Sequence, residues 1–186
     1  MNNHESNIPV VTKIGELDGD GWVQFTSNDP QKYAAADSMA GNYSLRDNPN
    51  GDSYEVTVKK MSGFYNEPFG MIFCGSDSAF YQLNINLDSR YNVIRQVVSG
   101  NGTTSGDVLI PWTKSNHLEE GYNRENSVKA VKNGNVVTLF FNGQEENSFT
   151  EPNPLYGKKI GLAVHYGKEG QENFPEIPVD VRFLVK

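Results

Sequence analysis

Three carboxylates, Glu16, Asp18 and Asp20, stand at alternate positions near the start of the chain. On a strand, a two-residue period aims alternate side chains at one face, where a nucleophile and an acid/base could flank a glycosidic bond. Gly19 and Gly21 interrupt the run, however, and Asp18-Gly19-Asp20-Gly21 reads as a turn. The histidines His4, His117 and His165 lack metal-ligand spacing. No serine sits in a Gly-x-Ser-x-Gly elbow. Cys74, the single cysteine, lies in the apolar run Met71-Ile72-Phe73-Cys74 and reads as a small buried hydrophobe rather than a reactive thiol.

A different pattern runs through Phe80 to Leu87. Gln82, Asn84 and Asn86 project from one face of that strand, and Tyr81, Leu83, Ile85 and Leu87 from the other. Such an amide row either lines a cleft for a hydroxyl-rich ligand or forms the ordinary solvated side of a sheet. Tyr65, Trp112, Tyr122 and Tyr166 fall near loops, where a ring face could stack on a ligand, although Trp112 could equally pack beneath its loop. Arg95 shares a strand face with Tyr91, Val93 and Val97. It either pairs with a carboxylate at the sheet margin or reaches into a cleft.

The elements that must position these residues are strands. Ser127 to Lys132 alternates, Asn133-Gly134-Asn135 supplies residues that tolerate positive φ, and Val136 to Phe141 returns as a β-branched and aromatic strand ending at Asn142-Gly143. Ser53 to Lys60 places Tyr54, Val56 and Val58 on one face and Glu55, Thr57 and Lys59 on the other, the pattern of a half-buried antiparallel strand. Further strands are expected at Trp22–Phe25, Asn42–Arg46, Phe69–Cys74, Tyr91–Val98, Val108–Trp112, Lys159–Tyr166 and Val179–Val185. Val97 to Gly106 reads as a loop or hairpin tip, and Pro111 either ends its strand or places it at an edge. Only Asn28 to Ala40 could hold a helical turn, and no crossover helix long enough for a parallel sheet exists. The expectation is an all-β, antiparallel β-sandwich of roughly ten to twelve short strands, in one domain over 13–186 behind a flexible tail over 1–12.

Composition narrows the partners. The chain has 186 residues and a formal charge of −7, from 16 basic and 23 acidic side chains. No basic stripe accumulates, which argues against a nucleic-acid partner. No window approaches the length of apolar sequence that a membrane span needs. Met1 to Asn7 is polar and carries no signal-peptide core, so the start fits either a cytoplasmic protein or a mature extracytoplasmic domain behind a new Met.

Four stretches together resemble the concanavalin A-like lectin/glucanase superfamily, jelly-roll sandwiches of two curved sheets. They are Phe69–Phe73 with Asp77, Tyr81–Ile85 and Tyr91–Arg95; Trp112, Ser115, Leu118 and Gly121; the hairpin with Asn126 before it; and Gly157, Ile160–Ala163 and the closing strand. They occur in the expected order over about two-thirds of the chain. The resemblance implies a fold and leaves activity open, because the superfamily holds lectins, glycosidases and domains without a ligand. Its glucanase branch carries Glu-x-Asp-x-Glu, from which Glu16, Asp18 and Asp20 depart in the last residue and in position. A keto-disaccharide hydrolase branch carries Gly-Asn-Ser-Gly where Glu67-Pro68-Phe69-Gly70-Met71 stands here. Calcium occurs in several lectin branches, and Asp18, Asp20 or Asp77 could supply oxygens, although hydrogen-bonded turn residues explain them as well.

The function expected is a non-catalytic recognition module, for a glycan or cell-surface polysaccharide, on a secreted, periplasmic or surface-anchored protein. Its candidate ligand residues are Gln82, Asn84, Asn86, Arg95, Trp112, Tyr122 and Tyr166. A divergent glycoside hydrolase and an assembly domain without a small ligand are the alternatives.

Overall fold

A computed structural model describes residues 23–27, 40–99, 104–166 and 179–185. The described residues form twelve strands and no helix: β1 (Val23–Ser27), β2 (Ala40–Asp47), β3 (Ser53–Ser62), β4 (Phe69–Gly75), β5 (Ala79–Ile85), β6 (Arg90–Val98), β7 (Thr104–Lys114), β8 (Asn126–Asn133), β9 (Val136–Phe141), β10 (Gln144–Thr150), β11 (Lys159–Tyr166) and β12 (Val179–Val185). They pair antiparallel into two six-stranded sheets, ordered β1-β12-β3-β8-β9-β10 and β2-β11-β4-β5-β6-β7. We call these the front and back sheets. The architecture is the jelly-roll β-sandwich expected from the sequence, with no helix among the described residues.

The core lies between the sheets. Tyr54, Val56 and Val58 of β3, Val128 and Ala130 of β8, and Val137, Leu139 and Phe141 of β9 face Met71, Phe73, Tyr81, Leu83, Tyr91 and Val93 of the back sheet, all essentially without solvent exposure. Period-2 alternation is visible in β8, where every second residue is buried. Rings interlock across the gap: Tyr91 meets Phe141 edge-on at 4.9 Å, and Tyr54 lies 6.0 Å from Phe73. Such contacts add about 1 kcal/mol each beyond their buried area.

The two hairpins of the front sheet are set by their turns. Gly134 adopts φ +62°, as the first central position of a primed turn requires, and Asn133 pairs with Val136. Asn142 and Gly143 both take positive φ, 49° and 80°, the requirement of a type I′ turn joining β9 to β10. Asn142 also donates to the carbonyl of His117 and to the side-chain oxygen of Asn126. The buried Asn126 amide in turn accepts from the Glu119 backbone N–H and donates to its carbonyl, so one side chain orders the polar stretch between β7 and β8.

Two boundaries differ from the sequence reading. β7 begins at Thr104, inside the Gly, Ser and Thr cluster expected to be a loop or hairpin tip, and pairs there with the end of β6, so the hairpin's strands run further into the cluster. Its pairing with β6 carries it through Gly106, where a Cβ would come 2.7 Å from Ile94 Cγ2 and 2.8 Å from Gln96 Oε1. The glycine that signalled a turn instead lets neighbouring side chains lie across the strand. Pro111 stands within β7, an edge strand, where its missing N–H leaves no ladder bond unmade. β5 ends at Ile85, so Asn86 falls in the following turn. The tail over 1–12, the possible helical turn from Asn28 and the acidic loop before β12 lie outside the described residues.

Candidate functional site

The outer face of the back sheet, away from the core, gathers the amide residues. Cross-strand register places Gly70, Asn84 and Asn92 in one row and Ile72, Gln82 and Ile94 in the next. Gln82 Nε2 donates to Asn84 Oδ1 at 2.6 Å, and Asn84 Nδ2 donates to Asn92 Oδ1 at 2.9 Å. All three are buried, between 2% and 5% exposed. The row is therefore neither a bare solvated side nor an open cleft floor at this point. Ile72, Phe80 and Ala163 are buried on the same face, with Leu45 and Val98 packed against them.

Exposure rises toward the β7 margin. Ile94 and Gln96 are half-buried, Val108 is exposed, and Trp112 is 39% exposed. β6 and β7 pair with a bulge in which Tyr91 meets Thr113 and Val93 meets Ile110, so Pro111 and Trp112 together stand opposite Asn92. The buried amide row thus ends beside an exposed indole. That juxtaposition includes Asn92, which the sequence reading had not singled out. Its signal was the register: Asn92 lies directly across from Asn84, two residues before Ile94.

The remaining candidates lie elsewhere. Asn86 Oδ1 accepts from the backbone N–H groups of Asp88 and Arg90, closing the turn between β5 and β6. Arg95 pairs with the nearly buried Glu151 at 3.4 Å, the sheet-margin alternative. Tyr122 donates to the Gly63 carbonyl at 2.6 Å and packs edge-on against Tyr65, which itself donates to Leu87. Burial raises both of these phenols above their ordinary pKa. Tyr166 ends β11, and its side chain lies outside the described residues.

The exposed aromatic that the sequence reading missed is Tyr156, 72% exposed, with the Lys132 ammonium 4.3 Å from its ring centre. It sits in the Pro-punctuated loop after β10, whose Leu155 N–H is held by Tyr81 and whose Gly157 carbonyl is held by Tyr54.

Of the possible metal and nucleophile residues, Asp77, Ser115, His117 and Cys74 are among the described residues. Asp77 is bound by the Lys159 ammonium at 2.6 Å, and no cluster of three or more His, Cys, Asp or Glu groups exists among the described residues. Asp18 and Asp20, with Glu16, lie outside those residues. His117 shares the Glu146 carboxylate with Ser115: the ring Nδ1 is 2.9 Å and the serine hydroxyl 2.6 Å from the same oxygen. The serine is bonded to the carboxylate rather than to the imidazole, which is not the geometry of an activated nucleophile. Burial pushes the Cys74 thiol up to about 11, so the thiolate is scarce at neutral pH.

No protein-family model matches the chain, and no curated protein matches it in sequence. Solved structures match in fold. The carbohydrate binding module CBM66 from Bacillus subtilis aligns with a TM-score of 0.52 at 11% identity, over 80% of this chain and 81% of that one. A Bacillus licheniformis β-glucanase aligns with a TM-score of 0.50 at 12% identity, over 89% and 77%. A native glycosidic hydrolase aligns with a TM-score of 0.51 at 10% identity, over 96% of each chain. The chain shares a jelly-roll β-sandwich fold with these structures. At these identities the likeness concerns the fold alone.

Proposed function

We propose that this domain is a non-catalytic carbohydrate-recognition module, and that its ligand lies over the β6–β7 margin of the back sheet. The observation that carries the reading is the amide row Gln82-Asn84-Asn92 running into exposed Trp112. Gln82 and Asn84 are buried and bonded to each other and to Asn92, so they hold the row in place rather than meet the ligand. The ligand contacts fall to half-buried Gln96 and the indole face, with Asn92 at the inner edge of the site: amides suit sugar hydroxyls, and an aromatic ring suits the apolar face of a pyranose. Solved carbohydrate-binding and glycan-cleaving proteins with this fold support the ligand class. A glycan or cell-surface polysaccharide as partner fits a secreted, periplasmic or surface-anchored protein.

The hydrolase alternative needs two carboxylates aimed at one cleft. On β4, β5 and β6 the described outer-face residues are Gly70, Ile72, Phe80, Gln82, Asn84, Asn92, Ile94 and Gln96, none of them acidic. Recognition without cleavage is therefore the better-supported reading.

A glycan array run with calcium and again with chelator tests it. Binding to one glycan class, lost in Trp112→Ala, is the expected result. Loss of binding in chelator would bring in Asp18, Asp20 or Asp77 as calcium ligands. Failure to bind any glycan under both conditions refutes the proposal and favours an assembly domain.

A further inference from the structure

The outer face of the front sheet carries a second feature that the back-sheet site does not use. A groove of about 280 Å³ is lined by Glu55 of β3, Ser127, Lys129 and Val131 of β8, Phe140 of β9 and Gly143 of the β9–β10 turn. Register brings these residues together: Glu55 lies across from Lys129, and Lys129 across from Phe140. Phe140 is therefore a ring on the solvent side of its sheet, half-buried, while Leu139 and Phe141 beside it fill the core. The polar wall is already ordered. Ser127 Oγ donates to Glu55 Oε1 at 2.9 Å, and the Lys129 ammonium stands 3.6 Å from Glu55 Oε2. Gly143, with φ +80°, adds no side chain to close the end.

We infer that this groove is a second ligand site, on the face opposite the first, for a single uncharged pyranose ring. Three features define that ligand. The volume falls just below the usual range for drug-sized ligand sites, enough for one ring and too little for an oligosaccharide. Phe140 and Val131 supply the apolar part of the lining, which suits the C–H face of a pyranose. Glu55, Ser127 and Lys129 offer an acceptor and donors at the wall whose charges cancel, so they match ring hydroxyls and give no net attraction to a charged group. Two sites on opposite faces would let one domain bridge two chains of a polysaccharide, which raises avidity without new contacts.

Backbone amide chemical shifts of the 15N-labelled protein, titrated with methyl β-D-glucopyranoside, methyl β-D-galactopyranoside and glucuronate, test the inference. At least one neutral glycoside is expected to shift Ser127, Lys129, Phe140 and Gly143 in a saturable way, with glucuronate weaker. Phe140→Thr, which leaves the core untouched, should weaken that response about tenfold or more, the loss expected from one stacking contact with its buried area. Glu55→Gln should weaken it while preserving spectral dispersion. Trp112→Ala should leave it unchanged, so the two sites fail independently. No shift at these four residues with either neutral glycoside, equal binding of glucuronate, or an undiminished response in Phe140→Thr would overturn the second site.

Discussion

Lys60 gives a test of how charge is held inside this sandwich. It lies on the core side of β3 and is 1% exposed, and its ammonium donates to the carbonyls of Phe64 at 2.5 Å and Glu67 at 3.0 Å. The Glu67 carboxylate, also buried, stands 3.9 Å away. Burial lowers the lysine from 10.5 to about 8 against the opposing pull of Glu67. Between those two values the unfolded chain keeps a proton that the native state has released, so native stability rises with pH across that window. The span corresponds to ~3 kcal/mol in full. Above 9.0 the opposite slope enters from Cys74, raised to about 11, and above 10.0 from Tyr65, Tyr81 and Tyr91, whose native pKa values are also raised. The measurement is therefore a difference. Urea unfolding of the wild type and of Lys60→Met/Glu67→Gln should be compared from pH 7 to 10.5, the double variant having lost both buried groups. The wild type should gain about 3 kcal/mol relative to the double variant as pH rises through the window. Parallel profiles would refute the claim that Lys60 is charged and desolvated in the native state. The single Lys60→Met change, which removes the ammonium nearest a buried carboxylate, should cost about 3 kcal/mol or more at neutral pH.

Other outcomes follow from the same geometry. Asn126→Ala removes the buried amide that holds Glu119 and Asn142, and should cost about 1 kcal/mol by breaking three part-buried hydrogen bonds, read as a lower urea midpoint. Arg95→Met leaves the nearly buried Glu151 without its guanidinium and should destabilise by about 1 kcal/mol, read as a lower urea midpoint. Gly106→Val pushes on Ile94 and Gln96, so it should disturb amide shifts on the outer back-sheet face while leaving the inner core spectrum intact. Cys74 should resist a thiol reagent in the native protein at neutral pH and react at once in denaturant; fast native labelling would contradict its burial.

The fold was legible because its signals are local. Alternation in β3 and β8, and the turn residues Gly134, Asn142 and Gly143, each act within a few positions, and each stands where the pattern placed it. Gly106 shows where such reading stops. A glycine beside serines and threonines signals a turn, yet here it is required by Ile94 and Gln96, two side chains of a different strand. Lys60 breaks its own strand's alternation for a similar reason: its partners, Phe64 and Glu67, are supplied by the turn that follows β3 and not by the strand.

The candidate site was only half legible, and the cause bears on function. Period 2 correctly places Gln82 and Asn84 on the face opposite Tyr81 and Leu83, but one strand cannot reveal which residues complete a row across a sheet. Asn92 and Trp112 join through register and through a bulge, both properties of paired strands. An amide exposed to water would gain little from facing another amide, whereas Gln82, Asn84 and Asn92 are buried and would each lose about 1 kcal/mol or more without their partners. A buried polar ladder costs desolvation that an apolar row of the same shape would avoid, so its presence between Ile72, Phe80 and Ile94 calls for a reason beyond stability. Fixing Asn92 beside the Trp112 indole is such a reason. Asn84→Leu should then preserve folding while freeing Asn92, and the glycan affinity should fall even though residue 84 touches no ligand; unchanged affinity in a folded Asn84→Leu protein would remove the ladder from the binding site.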